Sequence, residues 1–171
     1  MRKIWLVLSI TIFLSLFDVL GVVFIKQFPT KYSEYVEASS IEFNVNKEII
    51  YSIMKAESGF DKDCVSKAGA VGLMQVMPET ADWVKQKLGD DSFDLTDPKT
   101  NIRYGTYYFS YLFNKFNDLV TALAAYNAGE GNVINWMGEN LKLDKNQIRF
   151  SETKTYVDKV LFFIKAYKIL L

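Results

Sequence analysis

One device recurs beyond residue 40: a helix-opening residue followed by apolar side chains at helical spacing. Pro78 opens "PETADWVKQKL", Asp97-Pro98 opens "KTNIRYGTYYFSYLFNKF", Asp118 precedes "LVTALAAY" and Ser151 precedes "ETKTYVDKVLFFIKAYKILL". In the second of these, Ile102, Phe109, Leu112, Phe113 and Phe116 make one apolar stripe; in the last, Val157, Val160, Leu161 and Ile164 do. Ile49, Ile50, Ile53 and Met54 predict a further helix that stops at Gly59, and "GNVINWM" suits a short one. No sustained period-two alternation and no internal repeat accompany them, so strands are at most minor. The fold class expected is all-α: an irregular helical bundle.

Between the helix that stops at Gly59 and the one that Pro78 opens lies "SKAGAVGLMQVMP", residues 66 to 78. Its two glycines permit tight turns among apolar residues, which suits either a backbone pressed against a ligand or a buried turn.

Composition removes several chemistries. The chain of 171 residues has no histidine and a single cysteine, Cys64. A histidine-activated serine or cysteine nucleophile is therefore impossible, as is a zinc site built on histidine or several cysteines. Cys64 cannot form an intramolecular disulfide and is read as a packing residue. The 20 basic side chains balance 20 acidic ones, so no net charge draws the chain to nucleic acid. Carboxylate chemistry survives.

Residues 4 to 25, "IWLVLSITIFLSLFDVLGVVFI", are long and apolar enough to cross a membrane as one helix. Arg2 and Lys3 precede the run and favour a cytoplasmic amino terminus with the remainder translocated, although Lys26 and Lys31 on the far flank oppose this. Asp18 is read as a tolerated polar residue near the outer end. A cleaved signal peptide is the rival; no convincing small-x-small cleavage site follows, so an uncleaved anchor is favoured. The expected organisation is an anchor or signal segment over 1–25, a polar tether over 26–40 and a folded domain over 41–171.

Glu57, in "KAESGF", falls in the last turn of its helix. The carbonyls there are partly negative, which disfavours an ionised carboxylate by about 0.3 to 1 kcal/mol. Either the side chain is solvated or its protonated form is wanted.

Five blocks then line up in order: "ESGF" at 57–60, "GAVGLMQVMPETA" at 69–81, "NIRYG" at 101–105, "AAYNAGEGNV" at 124–133 and "FSETKTYVDKV" at 150–160. Together they resemble the soluble lytic transglycosylase family over roughly residues 40 to 170. The resemblance implies a lysozyme-like helical domain that cleaves peptidoglycan glycan strands between N-acetylmuramic acid and N-acetylglucosamine, leaving 1,6-anhydromuramic acid ends. It implies no metal or organic cofactor. Glu57 inherits the role of acid and then base. Ser66 and Gln75 are expected to hydrogen-bond sugars or their acetamido groups, and Met77 to line the saccharide groove. Tyr126 is expected beside Glu57, orienting or polarising it, with Asn127 in support; Glu152 is expected in the groove wall with Tyr156 packed beneath it. The partners implied are glycan strands and, through the amino-terminal segment, the membrane, which puts the catalytic domain outside the cytoplasm.

Asp61 and Asp63 have no role in the family pattern and are read as solvated loop residues. Lys154 stands where the family often has arginine, which removes a bidentate donor. Trp83 and Trp136 could stack on sugars, although core packing is the first reading of both. Two rivals remain: a goose-type muramidase, in which the same glutamate admits water, and an inactive membrane-anchored peptidoglycan-binding protein.

Overall fold

The computed structural model describes residues 21, 24, 26–140 and 142–171. The expected membrane-crossing run over residues 4–25 lies outside them, apart from Gly21 and Phe24. Among the described residues no helix is long and apolar enough to cross a membrane. Two compact units are distinguished: residues 1–30 with Leu170, and residues 31–169 with Leu171.

The larger unit contains seven α-helices among its described residues: α1 Ser33–Phe43, α2 Lys47–Glu57, α3 Pro78–Leu88, α4 Pro98–Phe116, α5 Leu119–Ala128, α6 Glu130–Met137 and α7 Ser151–Leu170. A single 3-10 turn, Lys145–Gln147, precedes α7. No named strand occurs among them, only isolated antiparallel bridges of Val71 with Val65 and with Val76. The fold is helical and lysozyme-like, as the sequence predicts.

Local chemistry accounts for the helix starts. Asp97 and Asp118 accept from Thr100 N and Thr121 N, both at 2.9 Å, capping α4 and α5. Pro78 and Pro98 occupy first-turn positions where no donor is lost. Ser151 departs from its expected role: α7 begins on it, Phe150 is the residue before the helix, and no side chain caps this end.

α4 is the central helix, packing on α1, α3 and α5, while α6 packs on α5. Of its predicted stripe, Ile102, Phe109, Leu112 and Phe116 are buried, but Phe113 is 38% exposed. α2 is enclosed: Ile50, Ile53 and Met54 have no exposed surface, and each contributes about 1.5 to 3 kcal/mol by leaving water. Tyr51 of α2 stacks on Tyr167 of α7, ring centroids 5.3 Å apart.

The tether expected over residues 26–40 differs from what forms. α1 occupies Ser33–Phe43 and is fixed to the domain by a bidentate pair of Arg103 with Glu42 and by Ser110 donating to the Phe43 carbonyl at 3.0 Å. Only Val36 and Ser39 of α1 are buried. One apolar and one polar contact point leave no stripe for periodicity to detect.

Candidate active site

α2 drives into the core and ends on Glu57, which is partly buried. The chain then turns through Gly59 and Phe60, both with positive φ, and Phe60 is buried. Ser58 ties this corner down. Its hydroxyl donates to the Leu73 carbonyl at 2.8 Å, with a longer contact to Met54 O, and accepts from Phe60 N at 3.1 Å. The residue after the glutamate therefore joins the helix end to the glycine-bearing loop.

That loop is held from below by Asn101 on α4, a buried amide with both ends engaged. Its Oδ1 accepts from Met74 N at 2.8 Å and its Nδ2 donates to the carbonyls of Val71 and Leu95 at 2.8 and 2.9 Å. A Cβ on Gly72 would lie 2.6 Å from the Leu95 carbonyl, and one on Gly105 would lie 2.6 Å from Met74 Cβ. Both glycines permit close approach, and of the two only Gly72 also has positive φ. Gly72 of the loop thus serves a pressed backbone whose partners here are Asn101 of α4 and the Leu95 carbonyl, while Gly69 meets nothing within 4 Å.

At the loop's rim Gln75 holds φ 49°, a left-handed conformation that costs a residue with a Cβ roughly 1 to 2 kcal/mol. Its Nε2 donates to Cys64 O at 3.0 Å and Gly72 O at 2.9 Å, which fixes the amide and leaves Oε1 as a free acceptor. The Ser66 hydroxyl accepts from Ala70 N at 3.0 Å and retains its own proton for a ligand. Tyr126 donates to the Met74 carbonyl at 2.9 Å, so its proton is committed to the loop, and the charge of Glu57 helps hold it there as a phenol. Asn127 Oδ1 accepts from Thr153 at 2.8 Å, linking α5 to α7.

One face of α7 closes the site: Glu152, Tyr156 and Lys159 follow at spacings of four and three, and Thr155 lies beside them. Glu152 is exposed. Tyr156 is buried more deeply than its expected place beneath Glu152 suggests, and it faces Glu57. Its hydroxyl helps the ionised form of Glu57 without reaching full hydrogen-bond geometry, and among the described residues it is a buried side-chain polar atom without a partner. Lys159 donates from Nζ to the Ala56 carbonyl at 3.1 Å, placing a cation over the end of α2.

These surroundings push the Glu57 carboxyl up from 4.5 to about 7. Burial raises it most, Tyr156 and Lys159 pull it down, and Glu152 pushes it up again. The tyrosines remain phenols: burial, then the charge of Glu57, hold Tyr126 and Tyr156 far above their ordinary range. Around Glu57 opens a chamber of about 540 Å³ that includes Ser66, Gln75, Asn127, Glu152, Tyr156 and Lys159. Gln75 and Asn127 also line a second chamber of about 260 Å³ with Met77 and Tyr126. The eight residues expected in the site are divided between these two chambers, which share Gln75 and Asn127. Asp61 and Asp63 are exposed outside it, Trp136 is buried against Phe150, and Lys154 is exposed.

The family model described as the transglycosylase SLT domain matches residues 34–149. The chain belongs to the SLT transglycosylase domain family. It is 33% identical over 153 residues to the soluble lytic murein transglycosylase of Escherichia coli K12, covering 84% of this chain and 24% of that protein. It is 37% identical over 117 residues to the membrane-bound lytic murein transglycosylase C of Photorhabdus laumondii, covering 61% of this chain and 33% of that one. Among solved structures, the Pseudomonas aeruginosa lytic transglycosylase Slt, as an inactive glutamate-to-glutamine mutant, superposes with TM-score 0.77 at 34% identity, covering 84% of this chain and 25% of that one. The Escherichia coli 70-kDa soluble lytic transglycosylase gives TM-score 0.77 at 33% identity over the same shares, and it has also been solved with bulgecin A. The chain spans about a quarter of the length of its soluble curated relatives.

Within this SLT domain, sequence reasoning passed over Ser58, Asn101, Thr153 and Lys159. Lys159 was detectable, since it continues the face of α7 marked by Glu152 and Tyr156. Asn101 had a signal too: an amide beside Ile102, on the core side of an apolar stripe.

Proposed function

We propose that this SLT domain is a lytic transglycosylase that cleaves peptidoglycan between N-acetylmuramic acid and N-acetylglucosamine, with Glu57 alone as acid and then base. The observation that carries the reading is Glu57 itself, a carboxyl shifted to about 7 at the floor of a groove. A general acid is most effective with its pKa near the working pH. The inactive glutamate-to-glutamine mutant of the Pseudomonas aeruginosa relative supports an essential carboxyl in the same family.

In the proposed reaction the Glu57 proton passes to the glycosidic oxygen as its bond to the muramic acid C1 breaks. The sugar's acetamido oxygen supports the positive charge at C1. The Glu57 carboxylate then takes the proton of the C6 hydroxyl while O6 bonds to C1, which closes the anhydro ring and restores the acid. No water is consumed and no second carboxylate is required.

Ser66 offers a donor and the Oε1 of Gln75 an acceptor, the pair an acetamido group needs. Met77 supplies apolar wall, and Asn127, held by Thr153, borders both chambers. Tyr126 acts by fixing the loop, Tyr156 by favouring the Glu57 carboxylate formed after the first step, and Glu152 by opposing early ionisation. For localisation, we read the segment over 4–25 as a membrane anchor that holds this domain outside the cytoplasm.

Digestion of purified peptidoglycan, with the products weighed by mass spectrometry, tests the reading. Wild type is expected to release muropeptides lighter by one water than reducing-end products, and Glu57→Gln none. Reducing ends would instead assign a hydrolysing muramidase; binding without turnover would assign a binding protein.

A further inference from the structure

The groove does not stop at Met77. Thr80 and Tyr108, in the second chamber, also border a third of about 280 Å³ whose remaining wall is Trp83, Tyr111, Glu79 and Glu130. Trp83 is half-buried on α3. It packs edge-on against Tyr111, centroids 4.8 Å apart, and against Tyr108 at 6.2 Å. An aromatic cluster beside carboxylates, at the far end of a groove, is costly to leave bare and suited to a ligand with both apolar and hydroxylated faces.

Charge narrows the class of ligand. Glu130 is paired with Lys115, which also lies over the Tyr111 ring, and the ammonium of Lys87 lies 5.9 Å from the Trp83 ring centroid. The two carboxylates are thus balanced by two cations, so nothing here favours an ionic ligand. Pyranose rings are neutral and present a C–H face with hydroxyls at the rim. The phenol of Tyr108, pushed up to about 12 by burial and Glu130, keeps its proton as a donor.

We propose that Trp83, Tyr108 and Tyr111, with Glu79 and Glu130 as hydroxyl acceptors, form a saccharide-binding shelf that holds a glycan strand several rings away from the bond at Glu57. The proposal rests on the glycan-cleaving reading above. It assigns Trp83 to binding and gives the enzyme a preference for longer strands.

Calorimetric titration of the detergent-solubilised full chain with N-acetylglucosamine oligomers, from disaccharide to hexasaccharide, tests the shelf without requiring turnover. Wild type should gain affinity with length. Trp83→Ala should weaken the hexasaccharide by about tenfold, the size of one lost aromatic contact, and leave the disaccharide unchanged. Trp83→Phe should restore most of the difference. Equal length dependence in wild type and Trp83→Ala would remove the shelf and leave the glycan reading standing. If wild type bound no oligomer of any length, both would fall. Should Trp83→Ala lose disaccharide binding as well, Glu79→Gln at its exposed position decides: selective loss for the hexasaccharide supports the shelf, and an unchanged profile overturns it.

Discussion

Glu57 should make the domain less stable as pH rises, and removing its charge should reverse that. In the unfolded chain the carboxyl titrates near 4.5; in the folded domain burial moves it to about 7. Below 4.5 both states hold the proton and the site contributes nothing. Between the two values the unfolded chain has released its proton while the folded domain retains it, so stability falls as pH rises, and above about 7 the loss is complete. At about 1.4 kcal/mol per tenfold change in proton affinity, the full rise corresponds to roughly 3 kcal/mol. Because Glu57 still touches the groove, solvent relaxation lowers this to about 1.5 to 3 kcal/mol.

Glutamine reproduces the shape of the protonated acid and cannot ionise. Glu57→Gln should therefore match wild type at pH 4 and exceed it at pH 8, by about 3 to 10 °C in Tm for a domain of this size. Calorimetric melts of both proteins at unit steps from pH 4 to pH 8 measure the difference. A constant gap across the series, or one that widens toward acid, would refute the burial argument whatever the fate of activity.

Three further changes probe the neighbours. Lys159→Met removes an exposed cation that favours the carboxylate, so the basic limb of kcat/KM against pH should move upward by about half to one pH unit, with Lys159→Arg unchanged. Tyr156→Phe should move the same limb upward too, while melts at pH 5 show stability equal to or slightly above wild type, since the hydroxyl removed is buried and unpartnered. Asn101→Ala strands Met74 N and the carbonyls of Val71 and Leu95; denaturant and thermal melts should show a loss of roughly 3 kcal/mol or more, about 6 to 12 °C in Tm.

Helix positions were legible because their signals are local. Pro78, Asp97 and Asp118 fix starts by capping and by φ restriction, and α3, α4 and α5 begin where these residues place them. What escaped has in common a non-local partner. α1 is held by Arg103, which lies sixty-one residues from Glu42; Asn101 binds a loop about thirty residues away. No spacing rule within one element reports such contacts. The site residues were found through the ordered family blocks rather than through periodicity, and the same blocks concealed Lys159, whose place on α7 is local but whose acceptor, the Ala56 carbonyl, is 103 residues distant.

The elevated carboxyl illustrates the difference. From sequence, the carbonyl end of α2 looks like the natural cause, since a negative helix terminus opposes ionisation. In the folded domain that terminus is largely satisfied: Ser58 N and its hydroxyl bond to Met54 O, and Lys159 donates to Ala56 O. A cation over the last turn reverses the sign of the local field, and Lys159 indeed pulls Glu57 down. Burial, with a smaller push from Glu152, must therefore supply the rise and exceed two opposing groups. The arrangement suits a residue that serves first as acid and then as base: Tyr156 and Lys159 support the carboxylate only once the proton has gone. On this reasoning Lys159→Met and Tyr156→Phe should leave the protonated enzyme intact and slow the first step, which forms the carboxylate, more than ring closure, which consumes it. A lower kcat with the product ratio of wild type would be the sign of that, and accumulation of reducing ends from captured water, the mark of a delayed ring closure, would count against it.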